Sequence, residues 1–75
     1  MLINSFEIYP NPTTGIISTK GVQNGNYTLT DISGRTIVNS EFSESTINIT
    51  QIPQGLFFMH LKSETGEAII KIVKE

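Results

Sequence analysis

The sequence predicts an all-β domain, a small sandwich of about seven antiparallel strands. Three observations carry this. Apolar residues recur at spacing two rather than three or four, as in strands that bury one face. β-branched and aromatic residues crowd the runs between turn signals. Those signals return at intervals of roughly ten residues, the pattern of two sheets packed face to face. No stretch holds a 3.6-residue apolar period over three helical turns.

The elements follow in order. Phe6 and Ile8 alternate in FEIY, and in GIISTK the inward pair is either Ile16 with Ser18 or Ile17 with Thr19. Tyr27 and Leu29 alternate with Thr28 and Thr30 in YTLTDI, and RTIVNSEF offers Ile37. TINIT turns Ile47 and Ile49 inward, GLFFMHLK puts Phe57, Met59 and Leu61 on one face, and EAIIKIVK does the same with Ala68, Ile70 and Ile72. The last run, AIIKIV, is apolar on both faces apart from Lys71, which predicts a central or well-covered strand. At an edge it would instead be a pairing surface, guarded by Lys71 and Lys74.

The corners have identifiable chemistry. In YPNPTTG, Pro10 and Pro12 cannot donate ladder hydrogen bonds, so the chain leaves a sheet there and Gly15 lets it re-enter. QNGN reads as a short turn around Gly25. In DISGR the Asp31 carboxylate can accept backbone N–H bonds while Gly34 takes a left-handed conformation. IPQG and ETG close the remaining corners.

At 75 residues the chain is one domain. Apolar burial of roughly 110 kcal/mol is offset by about the same conformational entropy, which leaves no slack for a deep polar active site. Cysteine is absent, so packing must hold the fold without disulfides or thiolate metal sites. A net charge of −2, with four lysines and one arginine scattered along the chain, argues against nucleic-acid binding. No apolar run approaches the ~20 residues of a membrane helix. MLINSFEIYP lacks the basic start and long apolar stretch of a secretory signal, so an exported parent would carry that signal elsewhere.

Catalysis needs a cluster, and only single candidates occur. His60 could serve as a base for Ser33, Ser43 or Ser63, but a serine triad also needs an orienting carboxylate and an oxyanion hole, no nucleophile elbow is present, and an exposed strand histidine is the simpler reading. Glu41 and Glu44 flank a turn and read as solvated. Asp31 is one acid followed by arginine where a calcium loop would need several ligands. Gly21 and Gly25 bracket VQN without a phosphate-loop spacing. The chain therefore reads as a non-enzyme with no catalytic, metal or cofactor-binding residues. Its aromatics, Phe6, Tyr9, Tyr27, Phe42, Phe57 and Phe58, are mostly core; Phe57 and Phe58 must point to opposite faces, so one of them belongs to a second layer or to an exposed partner patch.

Together, IYPNPTTGII, YTLTDISGRTI, INITQIPQGLFFMHL and the ending KIVKE resemble the type A C-terminal sorting domain of the type IX secretion system of Bacteroidetes. The resemblance runs from about Phe6 to Glu75 as one sorting domain, leaving residues 1–5 as linker or expression remnant. It implies an Ig-like sandwich without cofactor or activity of its own, recognised by the type IX translocon and its shuttle proteins. The passenger would pass through the periplasm to the cell surface or the medium, and a sortase-like cysteine peptidase would then remove the domain. The family blocks fall on Pro12 and Gly15, on Asp31, Gly34 and Arg35, on Pro53, Gly55 and Phe57, and on Lys71, Ile72, Val73 and Lys74. Phe57 stands where tyrosine is common, and Glu75 follows Lys74 where a basic residue or none is frequent. The alternative is an accessory Ig-like module that binds carbohydrate or a neighbouring domain and stays on a secreted protein.

Overall fold

The computed structural model describes residues 6–75; residues 1–5, read above as linker or remnant, lie outside the described residues. Seven strands follow in chain order: β1 (Glu7–Tyr9), β2 (Ile16–Lys20), β3 (Gly25–Asp31), β4 (Thr36–Phe42), β5 (Thr46–Asn48), β6 (Gly55–Ser63) and β7 (Gly66–Lys74). They pair antiparallel into a three-stranded sheet of order β1-β2-β5 and a four-stranded sheet of order β4-β3-β6-β7. The all-β sandwich predicted from side-chain alternation is the fold observed, and its two sheets are consistent with an Ig-like arrangement.

Alternation decides the core. Ile17, Ile47 and Ile49 from one layer meet Tyr27, Leu29, Phe57, Met59, Leu61 and Ile72 from the other, all buried. Of the two phases open for β2, the structure takes Ile17 and Thr19 inward, because Ile17 lies opposite Ile47, and leaves Ile16 exposed. The buried Thr19 hydroxyl donates to the Val22 carbonyl at 2.7 Å, so its polarity is satisfied. Burial pushes the Tyr27 phenol pKa up, and its ring meets that of Phe42 at 6.4 Å.

Three readings need correction. On β4, Val38 sits opposite Leu29 and Thr36 opposite Thr30, so Ile37 is the extra residue of a bulge. Val38 thus shares the inward role given to Ile37, and both pack against the core. Gly25 is not the centre of a turn but the first residue of β3, where a Cβ would lie 2.2 Å from the Lys62 carbonyl oxygen. The third concerns β7, predicted central or well covered, which is an edge strand. Its apolar character on both faces does not come from sheet neighbours on both sides. Ala68, Ile70 and Ile72 face the core opposite Leu61, Met59 and Phe57, while Ile69 is 71% exposed.

Candidate recognition surface

Strand register gathers the separated motif blocks at one end of the sandwich. Asp31 lies opposite Phe57, and Phe57 opposite Ile72. Gly55 lies opposite Lys74, and Lys74 forms a parallel bridge to Thr13. The Asp31 turn, the start of β6, the end of β7 and the YPNPTTG corner are therefore lateral neighbours, although more than sixty positions separate Thr13 from Lys74 in sequence.

The corner is a clamp on the edge of β7. The Asn11 carboxamide donates through Nδ2 to the Lys71 carbonyl at 2.7 Å and accepts from the Val73 amide at 3.1 Å. The Thr13 amide donates to the Val73 carbonyl at 2.9 Å, and the Glu75 amide donates to the Thr13 carbonyl at 2.8 Å. Thr13 is buried, and its Oγ1 accepts from the Gly15 amide at 2.9 Å and donates to the Ile16 carbonyl at 3.3 Å. Gly15 is obligatory here: its φ is +144°, and a Cβ would stand 2.7 Å from the Thr50 Cα. The Tyr9–Pro10 and Asn11–Pro12 peptide bonds are both cis. A segment that cannot join a ladder through its prolines thus caps one through a side chain and a single threonine.

The neighbouring turn is held by one carboxylate. Asp31 Oδ1 accepts from the Ser33 amide at 2.9 Å, the Ser33 hydroxyl at 2.7 Å and the Arg35 amide at 3.0 Å. Oδ2 meets Arg35 Nε at 3.3 Å, with the arginine side chain 79% exposed. The Ser33 hydroxyl, followed by the Arg35 amide, holds the Asp31 carboxyl below the usual carboxylate range. Gly34, at φ +92°, completes the turn in the predicted left-handed conformation.

The blocks divide by burial. Gly15, Phe57, Ile72 and Lys74 point inward and shape this end; Pro12, Gly34, Arg35, Pro53, Gly55 and Lys71 are exposed, and Asp31 and Val73 are half-buried. Lys74 is not the edge charge expected: it is 8% exposed, with Nζ donating to the Glu75 main-chain oxygen at 3.3 Å. On the outer face of the four-stranded sheet, Phe58 lies opposite Lys71 and Leu56 opposite Val73. Phe58 and Leu56 are exposed, as is Ile32 just after β3, so of the Phe57–Phe58 pair it is Phe58 that faces outward and Phe57 that is core.

The catalytic candidates do not assemble. His60 Nε2 meets Glu67 Oε1 at 2.8 Å on the outer face. The Ser33 hydroxyl is engaged by Asp31, and that of Ser63 pairs with Thr65 at 2.9 Å. A shallow hollow of about 560 Å³ lined by Thr19, Val22, Ser45, Ser63 and Thr65 opens at the opposite end of the sandwich. Among the described residues no three His, Asp or Glu side chains come together to hold a metal. Sequence reasoning missed Asn11 and Thr13, the residues that join corner to strand. The signal for them was weak: a carboxamide between two prolines, which must find its partner outside the turn.

The family described as secretion system C-terminal sorting domain matches residues 7–75, nearly the whole chain. No curated protein matches the sequence significantly.

Proposed function

Because the chain belongs to the secretion system C-terminal sorting domain family, that of type IX sorting signals, we propose that the translocon and its shuttle proteins grip it at the motif-bearing end of the sandwich. An attached passenger is thereby carried through the periplasm and across the outer membrane, and a sortase-like cysteine peptidase then removes the domain. The chain contributes shape and surface rather than chemistry.

The observation that supports this reading is the convergence at one end of all four motif blocks, whose exposed members include Pro12, Arg35, Pro53 and Lys71. A recognition signal needs side chains that reach a partner and buried ones that hold them in place, and this end has both. The accessory-module alternative lacks a stacking platform: Tyr27, Phe42 and Phe57 are core, and the exposed Tyr9 and Phe58 lie in different sheets.

The test fuses the chain behind a secretory signal and a fluorescent reporter in cells with and without the type IX machinery. Export that depends on the machinery, and that falls when Arg35 and Lys71 are replaced by alanine without loss of fold, is the expected result. Periplasmic retention in both strains overturns the proposal. Removing Ile72 to Glu75 is a poor substitute, because Ile72 is fully buried and the residues after it anchor the corner.

A further inference from the structure

The side-chain charges of the chain are unevenly placed. Seven acids and five bases give a formal charge of −2, and all of them lie among the described residues. The motif-bearing end holds Arg35, Lys71 and Lys74 against Asp31 and Glu75, a balance of +1. The other five acids and two lysines lie toward the hollow, a balance of −3. There Glu7 is opposite Lys20 and Glu67 opposite Lys62, Glu64 lines the hollow, and Glu41 and Glu44 flank Phe42, itself opposite Gly25. An acidic molecule thus presents a cationic end.

That end also carries an apolar centre. β6 alternates, so with Phe57 and Met59 in the core Leu56 and Phe58 face outward, both exposed. Register sets Thr36, Thr30, Phe58 and Lys71 side by side across the four strands. Arg35 directly precedes Thr36, so a cation stands at each end of this row with Phe58 between them. Leu56 and Val73 form the adjoining pair, and the exposed Ile32 follows Asp31 in the turn. Arg35 meets Asp31 at 3.3 Å but its side chain remains 79% exposed, so its charge is still open to a partner.

We infer that the surface gripping this end is an acidic protein surface with an apolar centre, which seats on Leu56 and Phe58 and sets its carboxylates against Arg35 and Lys71. The inference rests on the export reading and gives its partner a chemistry. Charge complementarity chooses the occupant. An acidic surface is attracted by the cationic end and repelled by the other, so encounter is oriented as well as accelerated. Leu56 and Phe58 then hold the docked complex as apolar anchors inside a charged rim. A lipid surface is the poorer match, because electrostatic attachment to anionic membranes takes a cluster of basic residues rather than a balance of +1.

The test measures binding of the fluorescently labelled chain to outer-membrane preparations from cells with and without the type IX machinery. The difference between the two is the machinery-dependent part, and it should weaken as salt rises. Phe58→Ser, and separately Arg35→Glu combined with Lys71→Glu, should each weaken it about tenfold in variants confirmed folded by circular dichroism. Lys20→Glu combined with Lys62→Glu makes the same change in net charge at the far end, and Ile16→Ser removes an exposed apolar side chain from the other sheet. Both controls should stay within about twofold of the parent. If Phe58→Ser does not fold, Leu56→Ser carries the same comparison. Binding that is absent from both preparations, or equal on both as a lipid surface would give, overturns the inference. Machinery-dependent binding that ignores salt and Phe58 overturns it as well, and leaves the export reading standing. Failure of that reading shows instead as periplasmic retention of the fused reporter in both strains.

Discussion

Replacing Asn11 by alanine removes one carboxamide that bonds two backbone groups on an edge strand sixty positions away, the Lys71 carbonyl at 2.7 Å and the Val73 amide at 3.1 Å. Both contacts are exposed, so water can replace them, and each contributes toward the lower end of the usual range, about 0.5–1 kcal/mol. The pair is worth about 1–2 kcal/mol, to which the freed corner adds little because Thr13 still holds the strand. In a domain of this size that corresponds to a fall in Tm of about 5–10 °C. Asn11→Asp separates the two bonds: its carboxylate still accepts from Val73 but cannot donate to Lys71, and it faces that carbonyl with like charge. It should therefore be at least as destabilising as a single lost bond. The assay is thermal unfolding followed by circular dichroism, with hydrogen exchange read at the Val73 and Glu75 amides. An alanine variant that melts within about 1 °C of the parent, with unchanged exchange at Val73, would refute the clamp.

Gly15→Ala adds a Cβ that meets Thr50 Cα at 2.7 Å in a left-handed backbone, so a loss of about 2–4 kcal/mol in chemical denaturation is expected. The turn between β4 and β5 holds Glu44 at φ 56° and Ser45 at φ 57°, the geometry that favours Asn-Gly. Replacing the pair by Asn-Gly should raise stability by about 1 kcal/mol, read as a higher denaturation midpoint. The Asp31 carboxyl is depressed in the folded state, chiefly by the Ser33 hydroxyl. Its contribution is therefore complete above the ordinary aspartate pKa of ~3.9 and is lost as pH falls through the lower folded value. Tm should drop over that acid range more in the parent than in Asp31→Asn, and equal slopes would show that the carboxylate does not hold the turn.

The legible and illegible parts of this fold differ in range. The Asp31 turn was readable because its donors lie within four residues of the acceptor, so DISGR carries its own geometry. Phe57, Met59 and Leu61 were readable as one face because a strand's side chains alternate regardless of its neighbours. Ile37 was misassigned in part because a bulge depends on the partner strand, and nothing in RTIVNSEF announces that Val38 will meet Leu29. Lys74 looked like a guard charge because lysine is rarely buried, yet it is buried here and its ammonium reaches a main-chain oxygen. Asn11 and Thr13 escaped notice because their partners are at the far end of the chain.

By itself the sequence determined the class, the number of strands, which side chains turn inward on most of them, and the family to which the chain belongs. Each of these rests on short-range regularities: a two-residue period, a proline without an amide, a glycine where a side chain would collide. Only the tertiary structure decided that β7 is an edge, that the corner covers half of it, and that four distant blocks meet at one end. Every residue of a strand offers similar backbone donors and acceptors, so the local pattern states that a strand will pair without stating with what. Neighbours are chosen by the joint packing of two sheets and the reach of the turns between them, a property of the whole chain that no segment carries alone.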